Sequence, residues 1–271
     1  MSFIHQITSG RAMLATEVVG SGDPIVFLHA NVCDSRMWRA QLDGVGAGNL
    51  AIAYDRRGCG GTRAETEDFS AVADLMAVVN ATANGKPSIL VGCSGGGRIA
   101  LDVALQHPAA ARALVLIAPS VSGSPTPVYP PWIKELMTQQ TQAQAAGDVD
   151  QVEAIQARLW LDGPLAPEGR VTGEARRLFL DMNAIALRSP PIGRDLDATL
   201  AFPRLGAISV PVLVVSGTLD FPHIQERCRH VAGAVLNGSF HELAGVAHLP
   251  SLERPASVTG LLSEFLMRLG R

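Results

Sequence analysis

The sequence predicts an α/β protein built on a doubly wound, mostly parallel sheet with helices on both faces and an inserted helical cap. Three observations carry that reading. Short apolar runs bounded by turn residues alternate with stretches of helical spacing. A glycine-framed serine, GCSGG at 92–96, stands between one such run and a helix. About seventy residues then follow the breaker-rich stretch 122–131 without a convincing buried strand.

Taken in order, residues 10–19 read as an opening strand or hairpin arm, with Gly20 to Pro24 as a turn. IVFLH (25–29), NLAIAYD (49–55), SILVGC (88–93) and ALVLIAP (113–119) are continuous apolar runs, as expected of strands buried on both faces of a parallel sheet. Helices are predicted between them, over 35–42, 70–83 and 96–106. Ser70 serves as N-cap of the second, where Val72, Leu75, Met76 and Val79 recur at helical spacing. Three further helices are expected near 131–146, 149–160 and 172–187. VPVLVVSG (210–217) restores strand character, and a weaker strand at 235–240 and a helix over 256–269 follow. The expected division is a core of residues 1–123 and 202–271, with 124–201 as a cap over the carboxyl ends of the strands.

Composition narrows the function classes. The 271 residues are 47% hydrophobic and 17% charged, enough for one substantial core and unlike a disordered chain. A formal charge of -3 and the lack of a basic stripe argue against nucleic acid as a partner. No apolar stretch is long enough for membrane insertion, no signal peptide is evident, and four isolated cysteines suit reduced thiols, so a cytoplasmic location is expected. No metal site is expected, since His223, His230 and His241 form no recognisable cluster with carboxylates. Oligomeric state is left open, and a homo-oligomer is compatible with the sequence.

The chemistry concentrates at GCSGG. A tight strand-to-helix reversal exposes Ser94 in strained backbone geometry, and Gly92 and Gly96 allow the close approach this requires. A serine hydroxyl needs a base, and the base needs a group that selects its tautomer. SGTLD (216–220) sets Asp220 at the end of a strand, and GVAHLPSLERP (245–255) sets His248 in a late loop, in the order Ser, Asp, His. Each has an ordinary alternative: a loop-capping carboxylate for Asp220 and a satisfied core or surface histidine for His248. The backbone N–H groups of Gly95 and Asn31 are the expected oxyanion donors. His29 is read as support for its loop, and Asp55 and Arg56 as ties for the glycine-rich turn at 56–62. Cys93 is expected to turn inward. Trp132, Met137, Trp160, Phe179 and Met182 are candidates for the substrate pocket, although packing the cap on the core is the ordinary role of such residues.

The blocks IVFLHAN (25–31), AYDRRGCGGT (53–62), ILVGCSGGG (89–97), VPVLVVSGTLD (210–220) and AGVAHLPSLERP (244–255) resemble the α/β-hydrolase superfamily over essentially the whole chain. The resemblance is to small capped enzymes related to 3-oxoadipate enol-lactonases, non-haem haloperoxidase-like perhydrolases and carboxylesterases. It implies Ser94 as nucleophile, Asp220 as acid and His248 as base, with oxyanion donors at Asn31 and Gly95 and WLDG (160–163) in the helical cap. Two departures are His29-Ala30, where the family usually has His-Gly, and Thr62, where it commonly has serine. A serine nucleophile argues against the dehalogenase and epoxide hydrolase branches. The implied reaction is hydrolysis of a small or medium-sized ester or lactone through an acyl-enzyme, with no cofactor. Carbon–carbon bond hydrolysis, perhydrolysis and receptor-like ligand binding remain as alternatives.

Overall fold

In the computed structural model, which describes residues 2–270, the predicted architecture is present. Met1 and Arg271, the ends of the predicted core, lie outside the described residues. The strands are β1 (Ser2–Ser9), β2 (Ala12–Gly20), β3 (Pro24–Leu28), β4 (Leu50–Tyr54), β5 (Arg63–Ala64), β6 (Ser88–Cys93), β7 (Ala111–Ile117), β8 (Pro211–Gly217) and β9 (Asn237–Leu243). They form one sheet in the order β1-β2-β4-β3-β6-β7-β8-β9, with β5 beside β2. From β4 through β9 every neighbouring pair is parallel, whereas β2 is antiparallel to β1, β4 and β5.

Why the inner strands read as continuous apolar runs is visible in their packing. Side chains alternate across a strand, so Val26, Leu28, Leu90, Leu114, Leu116, Val212 and Val214 enter one apolar core. Their neighbours Ile25, Phe27, Ile89, Val91, Val115, Ile117 and Leu213 enter a second. Helices cover both faces, so neither set meets water.

The helices are α1 (Arg39–Val45), α2 (Ala71–Ala83), α3 (Gly95–Gln106), α4 (Pro131–Ala146), α5 (Val149–Gln156), α6 (Gly173–Arg188), α7 (Pro222–Ala234), α8 (Pro250–Glu253) and α9 (Pro255–Leu269). Ser70 caps α2 by accepting from the Ala73 N–H at 3.0 Å. The predicted helix over 35–42 divides into a 3-10 turn, Ser35–Trp38, followed by α1. The predicted helix 149–160 also divides: α5 ends at Gln156 and the chain widens into a π-helical turn, Ala157–Asp162. Such turns re-aim side chains.

Four elements were absent from the sequence reading; the shortest helix, α8, falls in the stretch read as a loop before the last helix. Strand β1 pairs with β2 through a turn at Gly10, whose φ is 54°. Strand β5 is only two residues long. Helix α7 follows Pro222 and buries Ile224, Cys228 and Val231, a stripe spaced by four and then three residues. That stripe was legible, but its polar neighbours obscured it.

Candidate active site

Ser94 stands at the junction of β6 and α3 with φ 52° and ψ −114°, a conformation outside the regions L-residues favour. The surroundings enforce it. The Ser94 N–H donates to the Ile117 carbonyl at 3.0 Å, and the Ser94 carbonyl accepts from the Ser120 N–H at 2.9 Å. A side chain at Gly96 would meet the Leu28 carbonyl oxygen at 2.2 Å, and one at Gly92 would meet the Gly96 carbonyl oxygen at 2.5 Å. Strain of this kind costs about 1–3 kcal/mol and persists only where neighbouring structure over-determines it. Cys93 points inward and is fully buried. Burial, and then the charge of Asp220, push its thiol far above the ordinary range, leaving it inert.

Asp220 follows β8 and is fully buried. Its Oδ1 accepts from the Phe221 N–H at 2.7 Å, and its Oδ2 lies 2.7 Å from His248 Nδ1. Nδ1–H therefore donates to the carboxylate, and Nε2 is the nitrogen left for other chemistry. Nε2 is buried and has no hydrogen-bond partner among the described residues. The His248 loop reaches the end of β6, since Cys93 Sγ lies 3.7 Å from the His248 carbonyl oxygen. Ser94 Oγ makes no hydrogen bond to Nε2 in this structure, an open geometry often found before substrate binds.

The indole of Trp160 packs on the imidazole, with ring centroids 4.8 Å apart. Trp160 comes from the π-helical turn, which also brings Gly163 against the loops of both partners. A side chain at Gly163 would meet the Leu219 carbonyl oxygen at 2.5 Å and Ala247 Cβ at 2.6 Å. Arg170 fastens the same junction by pairing with buried Glu253, which accepts from the Ala247 N–H at 2.9 Å. Phe221 extends the aromatic wall from Trp160, at 5.1 Å, to Tyr129, at 5.9 Å. The sequence reading missed Phe221 and Tyr129, although Phe221 directly follows Asp220.

The remaining predicted residues divide between this wall and the core. Trp132 lines a cavity of about 120 Å³ with Tyr129, Phe221 and His223. A larger groove of about 500 Å³ runs beside it between the 124–128 linker and α7, lined by Val128, Phe202, His223 and Arg227 among others. Ser94 lines neither. Met137 is partly buried against the core. Phe179 and Met182 are fully buried in the second core with Cys33, Met37 and Leu161.

In the loop after β3, His29 is buried and its Nε2 accepts from the Arg56 N–H at 2.9 Å, in keeping with its predicted support role. Burial, and then the Arg56 charge, hold its pKa well below the ordinary value, so the ring is neutral. The N–H groups of Asn31 and Gly95 have no acceptor among the described residues. Asn31 is exposed, and its Oδ1 lies 2.0 Å from where a Gly95 Cβ would stand. Its amide thus fills the space a side chain at 95 would occupy. The turn at 56–62 is tied by Asp55, which accepts from the Ser35 and Gly61 N–H groups, and by Arg57, which chelates Asp74. Arg56 ties it only through its backbone; its side chain reaches Asn31 instead.

A backbone-strained serine thus follows β6, and a buried histidine–carboxylate pair is built from the loops after β8 and β9 of the same parallel sheet. The sequence profile of the α/β hydrolase family matches residues 25–260, and the chain belongs to that family. It is 24% identical over 279 residues to the AB hydrolase superfamily protein YisY of Bacillus subtilis (strain 168), covering 95% of this chain and 97% of that one. Its fold is similar to that of Est816, described as an N-acyl homoserine lactone degrading enzyme, with a TM-score of 0.75 at 21% identity, over 96% of this chain and 99% of that one. It is also similar to the enol-lactonase of Burkholderia xenovorans LB400, with a TM-score of 0.70 at 21% identity, over 98% and 100%. No helix among the described residues is long and apolar enough to cross a membrane.

Proposed function

We propose that this protein is a serine hydrolase that cleaves a small or medium-sized carboxylic ester or lactone through an acyl-enzyme. The observation that carries the reading is the buried 2.7 Å hydrogen bond between His248 and Asp220 behind a backbone-strained Ser94. Asp220 holds the Nδ1–H tautomer, so Nε2 is free to take the Ser94 proton as Oγ attacks the carbonyl. Asp220 then stabilises the imidazolium. The unpartnered N–H groups of Asn31 and Gly95 receive the oxyanion, and the N-terminus of α3 adds its favourable field. His248 returns its proton to the leaving oxygen, and water activated by the same base resolves the acyl-enzyme.

The inserted helical region acts as the cap in this reading. Its aromatic residues Tyr129, Trp132 and Trp160 supply an apolar wall suited to the non-reacting part of a substrate. That two similarly folded proteins degrade lactones supports including lactones among the substrates to be tried.

The test is initial hydrolysis rate on short- and medium-chain p-nitrophenyl esters and several lactones, for the parent and Ser94→Ala. Saturable turnover that falls at least a thousandfold in the variant is expected. Equal rates in both proteins on every member would overturn the proposal.

A further inference from the structure

We propose that Arg56 is an anchor for a substrate carboxylate, so that the preferred ester or lactone bears a free carboxylate a short spacer from the scissile carbonyl. The inference rests on the serine hydrolase reading and names the substrate class of that site.

The argument begins with donors and acceptors. A guanidinium carries five N–H donors. Arg56 Nη2 donates to Asn31 Oδ1 at 3.0 Å. It also lies 3.4 Å from His29 Nδ1, but that nitrogen is not an acceptor. His29 Nε2 already accepts the Arg56 backbone N–H at 2.9 Å, so the proton of the neutral ring sits on Nδ1, which faces the Ala30 carbonyl at 2.8 Å. Asn31 Oδ1 is thus the one sound acceptor for the guanidinium among the described residues. Arg56 Nε is buried and has no partner among the described residues.

Charge tells the same story. Arg56 makes no ion pair among the described residues, while its neighbours are fully engaged. Arg57 holds Asp74 and Glu67, and Arg98 holds Asp102 and Asp195. Two arginines of the inserted helical region are also engaged: Arg158 bonds the Gly163 carbonyl, and Arg176 pairs with Asp162. A partly desolvated cation without a counter-charge is costly unless something supplies one.

A cavity of about 80 Å³ is lined by Arg56 together with Tyr54, Arg57, Phe69, Arg98 and Asp195. The hydroxyl of Tyr54 is also buried and without a partner among the described residues. Arg56 thus brings a guanidinium without an ion pair to the wall of a small space whose own carboxylates, Asp74 and Asp195, are already paired. The volume suits a carboxylate rather than a substrate's whole body. Its position suits a substrate attached at Ser94: Arg56 bonds Asn31, whose amide presses on Gly95 beside the nucleophile. Arginine is the residue whose planar fork of N–H donors matches carboxylate geometry.

Two readouts test this. The first compares kcat/KM for monomethyl glutarate and for methyl pentanoate, by pH-stat, in the parent, Arg56→Gln and Arg56→Lys. The parent should prefer the anionic ester. Arg56→Gln should lower that preference at least tenfold, chiefly through KM, and Arg56→Lys should restore part of it. The second titrates glutarate calorimetrically into Ser94→Ala, with and without Arg56→Gln; affinity should fall at least tenfold. Melting temperatures establish that each variant is folded. Ser94-dependent turnover of methyl pentanoate with no anionic preference and no glutarate binding would overturn the anchor and leave the hydrolase reading standing. An equal loss on both esters, with glutarate binding unchanged, would reduce Arg56 to a positioning residue for Asn31 and overturn the anchor. Arg56-dependent glutarate binding without Ser94-dependent turnover would uphold the anion site and overturn the proposed reaction.

Discussion

His248 Nδ1 and Asp220 Oδ2 meet at 2.7 Å across two loops, with both side chains buried. Asp220 is held in turn by the Phe221 N–H, so the carboxylate has little freedom to turn away from the imidazole. This pairing leaves Nε2 as the free imidazole nitrogen and dictates the first prediction.

Asp220→Asn should lower kcat on an active ester by about 10⁴-fold with the fold preserved. An asparagine amide can donate to Nδ1, which selects the wrong tautomer and puts the proton on Nε2. Steady-state kinetics and far-ultraviolet circular dichroism check it. A loss below about tenfold would show that this carboxylate does not orient the base.

Gly95→Ala should lower kcat/KM by about 10²-fold, comparable to removing one oxyanion donor. The new methyl would stand 2.0 Å from Asn31 Oδ1 and must displace that loop. Removing the obstructing amide should relieve it, so Gly95→Ala with Asn31→Ala should recover most of the rate on a neutral ester. A double-mutant cycle measures the coupling, expected at about 2–3 kcal/mol. Strict additivity would mean that the two side chains do not compete for this space.

Acidification should destabilise the protein through His223. Burial, and then neighbouring Arg227, pull its pKa down to about 4, whereas an unfolded histidine titrates near about 6.5. Between those values the unfolded chain binds more protons, so stability rises with pH. The contribution is complete above the unfolded value and is lost as pH falls towards 4. His29, also held low by burial, acts in the same direction. Melting temperatures from pH 7 to 4.5 should therefore fall, and His223→Phe should give a shallower slope. An identical slope in both proteins would remove His223 from the explanation.

Much of this molecule was legible before its tertiary structure. The inner strands were found within two residues at either end because continuous apolar runs flanked by glycine, proline and asparagine leave few readings. Strand β1 was missed because a hairpin arm's partner is not a property of its own residues, and α7 because only a thin stripe of a mostly polar helix is buried. Trp160, Phe179 and Met182 looked equivalent as apolar helical residues. Yet the first packs on His248 and the other two disappear into the core, because a widened π-helical turn rotates one segment relative to its neighbours. Arg56 was read as a tie for its turn, a role that Asp55 and Arg57 fill through their side chains.

What the sequence by itself determined is what short-range chemistry encodes. Side-chain alternation set the strands, glycines set the reversal that strains Ser94, and the ends of the β6 and β8 runs located Ser94 and Asp220 along the chain. Tertiary structure decided which groups meet. It joined His248 to Asp220 from 28 residues away, laid Trp160 over the ring, and left Arg56 without a counter-charge among the described residues while Arg57 and Arg98 found theirs. Periodicity tells a residue which face to bury. Hydrogen bonds and ion pairs are satisfied only against particular neighbours, and those neighbours exist only once the sheet has brought distant loops to the same end of its strands.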